Sequence, residues 1–222
     1  MILVYWDAEL RGVLTNKMAK LIHIVGTSGS GKQTLQQDLR QRVERAGFAV
    51  EEIVEPGPLA RFIKEYRLSP EKDPWVEVAL FTADRTMTYA QKILPRIHDP
   101  NRVFVSARGL PDTIVYQGLI GGVDIPIIMR MNRHIPESDL YLVLVVSGNV
   151  GHERIRARYC SSGRDEHRIS PNEQPAAIDK LAAEYRTLPD FFHNVHVIDT
   201  TSLSPEEVGE AAWKEVESVL KK

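Results

Sequence analysis

The chain has 222 residues, 43% hydrophobic and 26% charged, with a formal net charge of -2 and a pI near 6.4. That length suits one α/β domain with a sizeable core, and the near-neutral balance argues against a broad surface for nucleic acid or anionic lipid. One cysteine, Cys160, excludes an intrachain disulfide and a cysteine-rich zinc site, so a reducing, cytoplasmic setting is expected.

The opening residues, "MILVYWDAELRGVLTNK", carry an apolar run that Asp7 and Glu9 interrupt, with no basic segment before it. This is a poor signal peptide, and no stretch approaches the ~20 apolar residues of a membrane span. Met18 stands directly before the first strand, so residues 1–18 read as an N-terminal extension and 19–222 as a single domain. Either Met1 or Met18 serves as the start.

Short β-branched runs alternate with longer amphipathic stretches, the rhythm of strand-helix units around a largely parallel sheet. Strands are expected at 21–25, 49–54, 102–106, 140–146 and 195–199. Leu35, Leu39, Val43 and Ala46 recur at helical spacing ahead of Gly47, a residue suited to ending a helix. Further helices are expected over 58–67, 74–97, 112–132, 149–158, 175–190 and 204–221. The polar stretch 160–175, "CSSGRDEHRISPNEQP", has no periodicity and reads as a loop.

The chemistry starts at "IHIVGTSGSGKQTLQQ", where a strand breaks into glycines and restarts as a helix. Gly26, four residues, Gly31 and Lys32 match the core of the phosphate-binding P-loop, in the strand-then-helix context the motif requires. The glycines Gly26, Gly29 and Gly31 would let backbone N–H groups of the loop, which also holds Thr27, Ser28 and Ser30, converge on phosphate oxygens. Lys32 would reach the terminal phosphates, and Gln33 and Thr34 open the helix. Gln33 takes the position that normally offers a hydroxyl to Mg²⁺, and Thr34 is turned about 100° away on a helix. The metal ligand is therefore unassigned.

Beyond the loop, five segments occur in one order. "VEPGPLARFI" (54–63), "ALFTADR" (79–85), "SARGLPDTIVYQG" (106–118), "ERIRARYCSSGRDEHR" (153–168) and "VHVIDTT" (195–201) resemble the corresponding segments of thymidylate kinases, over about residues 20–218. The resemblance implies a P-loop kinase fold: α/β, with a five-stranded, largely parallel sheet flanked by helices and a short lid at about 158–172. It implies transfer of the γ-phosphoryl group of ATP to dTMP, with Mg²⁺ accompanying ATP, and a homodimer. No nucleic-acid or membrane partner is expected.

The resemblance also assigns roles. Arg108 matches the arginine that grips the acceptor's phosphate, as a planar donor fork suits. Phe81 matches the aromatic that stacks on the base, and Arg85, at i+4, the arginine that reads the thymine edge. Tyr116 and Gln117 match residues near the sugar and base, while Glu55 and Pro56 open the loop lining the acceptor site. Among the lid arginines Arg156, Arg158, Arg164 and Arg168, Arg164 is the choice for closing over the transferred group, with Lys32 and Arg108 completing the catalytic set. Without the resemblance, Phe81 reads as a core aromatic and Arg85 as a solvated charge.

Three positions depart from the family pattern. Ser28 and Ala107 replace aspartates and Gln33 replaces a hydroxyl, which thins the oxygen ligands around Mg²⁺. Asp84 and Glu55 are the remaining candidates for an outer-shell carboxylate. Two further readings follow: a nucleotide-binding relative with weak or no catalysis, and a kinase of a different acceptor.

Overall fold

In the computed structural model, residues 18–163 and 169–221 are described. Five strands form one sheet: β1 (Lys20–Gly26), β2 (Ala49–Ile53), β3 (Arg102–Ser106), β4 (Leu140–Val145) and β5 (Val195–Asp199), in the order β2-β3-β1-β4-β5. β2 pairs with β3 in parallel, Ala49 against Arg102, and β4 with β5 in parallel, Tyr141 against Val195. All six residues of β4 are buried, as a strand covered on both faces requires. The strands lie within a residue or two of those the sequence predicts.

The helices are α1 (Lys32–Arg45), α2 (Ala60–Arg67), α3 (Pro74–Thr88), α4 (Leu110–Thr113), α5 (Ile125–Met131), α6 (Gly148–Ser161), α7 (Pro175–Tyr185) and α8 (Pro205–Leu220). Three expected helices are broken. The stretch 74–97 is α-helical only to Thr88, then continues as a π-helical turn (Tyr89–Ile93) and a 3₁₀ turn (Leu94–Arg96). Pro95 is the physical reason, since it lacks the N–H and crowds the carbonyl of the preceding turn. The stretch 112–132 divides into α4, a π-helical segment (Ile114–Ile120) and α5, because Gly122 turns the chain with φ +76° and Pro126 starts a new helix. The expected helix 175–190 likewise stops at Tyr185, with a 3₁₀ turn over Leu188–Asp190 around Pro189.

The chain forms two compact units: the described residues up to Ile22 with Val43–Asp139, and His23–Arg42 with Leu140 onward. In the first, Ala19, Leu21, Ile53, Tyr89, Ile93, Ile97 and Phe104 form a buried cluster. In the second, Val146, Ile155 and Ile178 pack together beneath Val150, Tyr159 and Ile169. The N-terminal extension and the lid residues Arg164 and Arg168 lie outside the described residues, apart from Met18.

Candidate active site

In the second unit, Gly26 ends β1 with φ +135°, and a side chain there would overlap the carbonyl oxygen of Leu144 on β4. Gly29, at φ +78°, is equally closed, because its Cβ would overlap the Gly151 carbonyl oxygen of α6. These two glycines let the loop lie directly on neighbouring backbone. Thr27 N–H donates to Leu144 O at 3.1 Å and Ser30 Oγ to Thr27 O at 2.8 Å, which tightens the turn.

Among the described residues, the N–H groups of Ser28, Gly29 and Gly31 have no protein acceptor. Three such donors at a helix N-terminus are the chemical form of an anion nest. Lys32 Nζ donates to the carbonyls of Gly26 at 2.8 Å and Thr27 at 2.7 Å, folded over the same loop. Gln33 and Thr34 are exposed on the first turn of α1.

Arg154 was not singled out in sequence. On α6 it donates to Thr200 O at 2.9 Å, Thr200 Oγ1 at 3.2 Å and Gly29 O at 3.5 Å, joining the glycine loop to the end of β5. Its sequence signal is its place at the start of the 153–168 segment, ahead of the lid arginines. Arg158, by contrast, is 56% exposed and pairs with Glu173 at 3.6 Å.

The first unit holds the other predicted residues. Arg85 on α3 is 2% exposed, so it is not a solvated charge. Its Nε donates to Glu55 Oε2 at 3.1 Å, Nη1 to Asn132 Oδ1 at 2.8 Å and Nη2 to Thr113 Oγ1 at 3.1 Å. Glu55 precedes Pro56 through a cis peptide bond, and its Oε1 is buried without a hydrogen-bond partner. Burial pushes the Glu55 carboxyl above its ordinary range and Asp112 and Asp84 add to the rise, while Arg85 opposes it.

Asp84 is 1% exposed and accepts the N–H groups of Gly57 and Leu59, each at 2.7 Å. Each Asp84 oxygen thus holds a loop amide, and Glu55 meets Arg85 through Oε2 alone. Phe81 is half-buried on α3. One turn earlier Glu77 accepts from Gln117 Nε2 at 2.6 Å, which fixes the π-helical segment carrying half-buried Tyr116 to α3. Arg108, just past β3, is exposed and its side chain has no partner among the described residues. Its backbone carbonyl accepts from Ser106 Oγ at 2.8 Å, which holds the strand end in place.

No group of three or more His, Cys, Asp or Glu side chains able to hold a metal occurs among the described residues. The donor set of the loop, hydroxyls and one exposed amide, does not fit an Mg²⁺ ion ligated by protein carboxylates.

A glycine turn with open amides and a folded lysine, between the central strand of the sheet and its helix, defines a P-loop nucleotide-binding protein. The Thymidylate kinase family profile matches residues 24–212. The chain is 30% identical over 202 residues to a probable thymidylate kinase of Archaeoglobus fulgidus, covering 90% of this chain and 96% of that one. It is 35% identical over 138 residues to a probable thymidylate kinase of Pyrobaculum aerophilum (62% and 70% covered) and 30% identical over 213 residues to a thymidylate kinase of Thermomicrobium roseum (92% and 98%). The chain belongs to the thymidylate kinase family.

Proposed function

We propose that this chain transfers the γ-phosphoryl group of ATP to dTMP, forming dTDP and ADP. The observation that carries the reading is the row of unpartnered amides at Ser28, Gly29 and Gly31 beneath Lys32, in a chain of this family. Phosphoryl transfer asks for positioning and charge neutralisation more than for covalent help. The amides and the N-terminus of α1 hold the phosphate tail. Lys32 exchanges its two loop carbonyls for phosphate oxygens, a swap that brings a full charge to the transferring group. Arg108, exposed and unpaired, takes the acceptor's phosphate as a bidentate fork.

The base end of the acceptor falls to Phe81 and Arg85, with Glu55, Pro56, Tyr116 and Gln117 shaping its surroundings. No strong general base is required. We assign Arg164 to the closing lid on the family resemblance alone. Mg²⁺ is placed with the nucleotide's phosphates rather than on protein ligands. A homodimer is proposed as well, supported by exposed Phe62, Leu68, Trp75 and Val76 on and beside α2 and α3; light scattering on the eluted protein reads its mass. Domain 19–222 is taken as one catalytic unit, and the single cysteine supports a cytoplasmic setting.

Coupled ADP release with Mg·ATP and a panel of dTMP, dUMP and CMP tests the proposal. Turnover with dTMP preferred is expected. Binding of both nucleotides without turnover, or another acceptor turned over in preference, overturns it.

A further inference from the structure

We infer that Asn132, which lies in none of the recognised motifs, is a positioning residue for Arg85 and thereby sets the affinity for the acceptor base. Asn132 is 2% exposed at the C-terminal end of α5. Its Nδ2 donates to Ile128 O at 2.9 Å and to Thr82 Oγ1 at 3.1 Å, and its Oδ1 accepts from Arg85 Nη1 at 2.8 Å. A backbone carbonyl can only accept, so Ile128 O dictates which end of the amide is nitrogen. The oxygen is thereby turned to the guanidinium.

Arg85 is held at all three nitrogens by acceptors on three different segments: Glu55 after β2, Thr113 at the end of α4 and Asn132 after α5. A planar fork held at three points cannot rotate. Three of its five N–H groups are used, and one on each terminal nitrogen is left without a protein partner among the described residues. N–H donors held in fixed direction suit a carbonyl oxygen on a pyrimidine ring. Glu55 and Thr113 alone leave Nη1 unanchored, which is why the Asn132 oxygen matters. The inference rests on the proposed reading of Arg85 as the contact to the acceptor base.

Steady-state kinetics of the full chain test it with three variants. Asn132→Leu keeps the volume and removes the oxygen; it is expected to raise KM for dTMP about tenfold or more, the effect of losing one oriented charge-assisted hydrogen bond, with KM for ATP within about twofold. Asn132→Asp keeps an oxygen on Arg85 and is expected to recover most of the loss. Thr82→Val removes one of the two acceptors that seat the amide nitrogen, which loosens its hold on the oxygen's direction; it is expected to raise KM for dTMP in the same direction by a smaller factor, which serves if Asn132→Leu does not fold. Equal rises in both KM values, or a KM for dTMP unchanged in a folded Asn132→Leu or, where that variant fails to fold, in Thr82→Val, overturn the inference. Arg85→Lys separates the two layers: an unchanged KM for dTMP in that variant sinks the reading of Arg85, whereas a raised one beside a silent Asn132→Leu sinks only the role of Asn132.

Discussion

Asp84 and Arg85, consecutive residues of α3, hold the same loop in two ways: Asp84 by the main chain of Gly57 and Leu59, Arg85 by the side chain of Glu55. The loop that opens with Glu55 and Pro56 is therefore shaped by α3 and not by its own turn residues. Asp84→Ala leaves two amides without their acceptor, at about 1–3 kcal/mol each. We expect a large fall in the thermal midpoint and a raised KM for dTMP, with nucleotide binding at the glycine loop retained. Scanning calorimetry and separate titrations of ATP and dTMP check this, and an unchanged midpoint would refute it.

Lys32→Ala is expected to lower kcat by about 10²–10³ or more, the usual cost of a single positioned charge donor, while circular dichroism stays that of the parent. Its Nζ donates to the carbonyls of Gly26 and Thr27 on the neighbouring loop, and alanine suits the first turn of α1, so the fold should be kept. Full activity in the variant would remove the glycine loop from the mechanism.

Gly26 and Gly31 share positive φ but differ in surroundings. A Cβ at Gly26 would overlap Leu144 backbone, whereas nothing lies within 4 Å of one at Gly31. Gly31→Ala should cost about 1–2 kcal/mol from backbone strain alone. Gly26→Ala adds a backbone collision and should cost several kcal/mol more or prevent folding. Urea unfolding of the pair decides it; equal costs would contradict the close approach.

Gln33→Thr restores a hydroxyl beside Lys32, where protein oxygen ligands are sparse. Expected is a lower magnesium concentration for half-maximal rate, measured by titrating the metal at saturating nucleotides. If the two titrations coincide, the nucleotide's phosphates already hold the ion without help from position 33.

Glu55, whose side chain is buried, and half-buried His134 give opposite pH slopes. Glu55 is held above its ordinary value of 4.5 by burial, so the folded state binds its proton more tightly; its contribution is full below 4.5 and is lost as pH rises through the raised value. His134 is held below its ordinary 6.5 by burial and by Arg133 and Arg85, so its contribution is present above 6.5 and is lost as pH falls through the lowered value. Glu55→Gln should flatten the first slope and His134→Gln the second in unfolding midpoints taken across pH. Slopes that persist in the variants would place the titration elsewhere.

Much was legible beforehand. The glycine loop, its strand and its helix lie within a few residues, so glycine, lysine and apolar spacing were enough to place them. The broken helices were less so, since Pro95 and the pair Gly121 and Gly122 sit inside apolar periodicity that masks them. Arg154 and Asn132 escaped because neither falls at a motif position of its own. Their partners are 46 and 47 residues away.

Sequence alone thus determined the local chemistry: a glycine loop between a strand and a helix, with its lysine. Only the tertiary structure decided how these groups are oriented. It shows Leu144 as the reason Gly26 must be glycine, Asp84 as a loop staple, and Arg85 as a buried fork with two N–H groups to spare. The physical reason is that backbone propensity acts over one or two turns, whereas desolvation and hydrogen-bond geometry depend on neighbours that the chain supplies from tens of residues away.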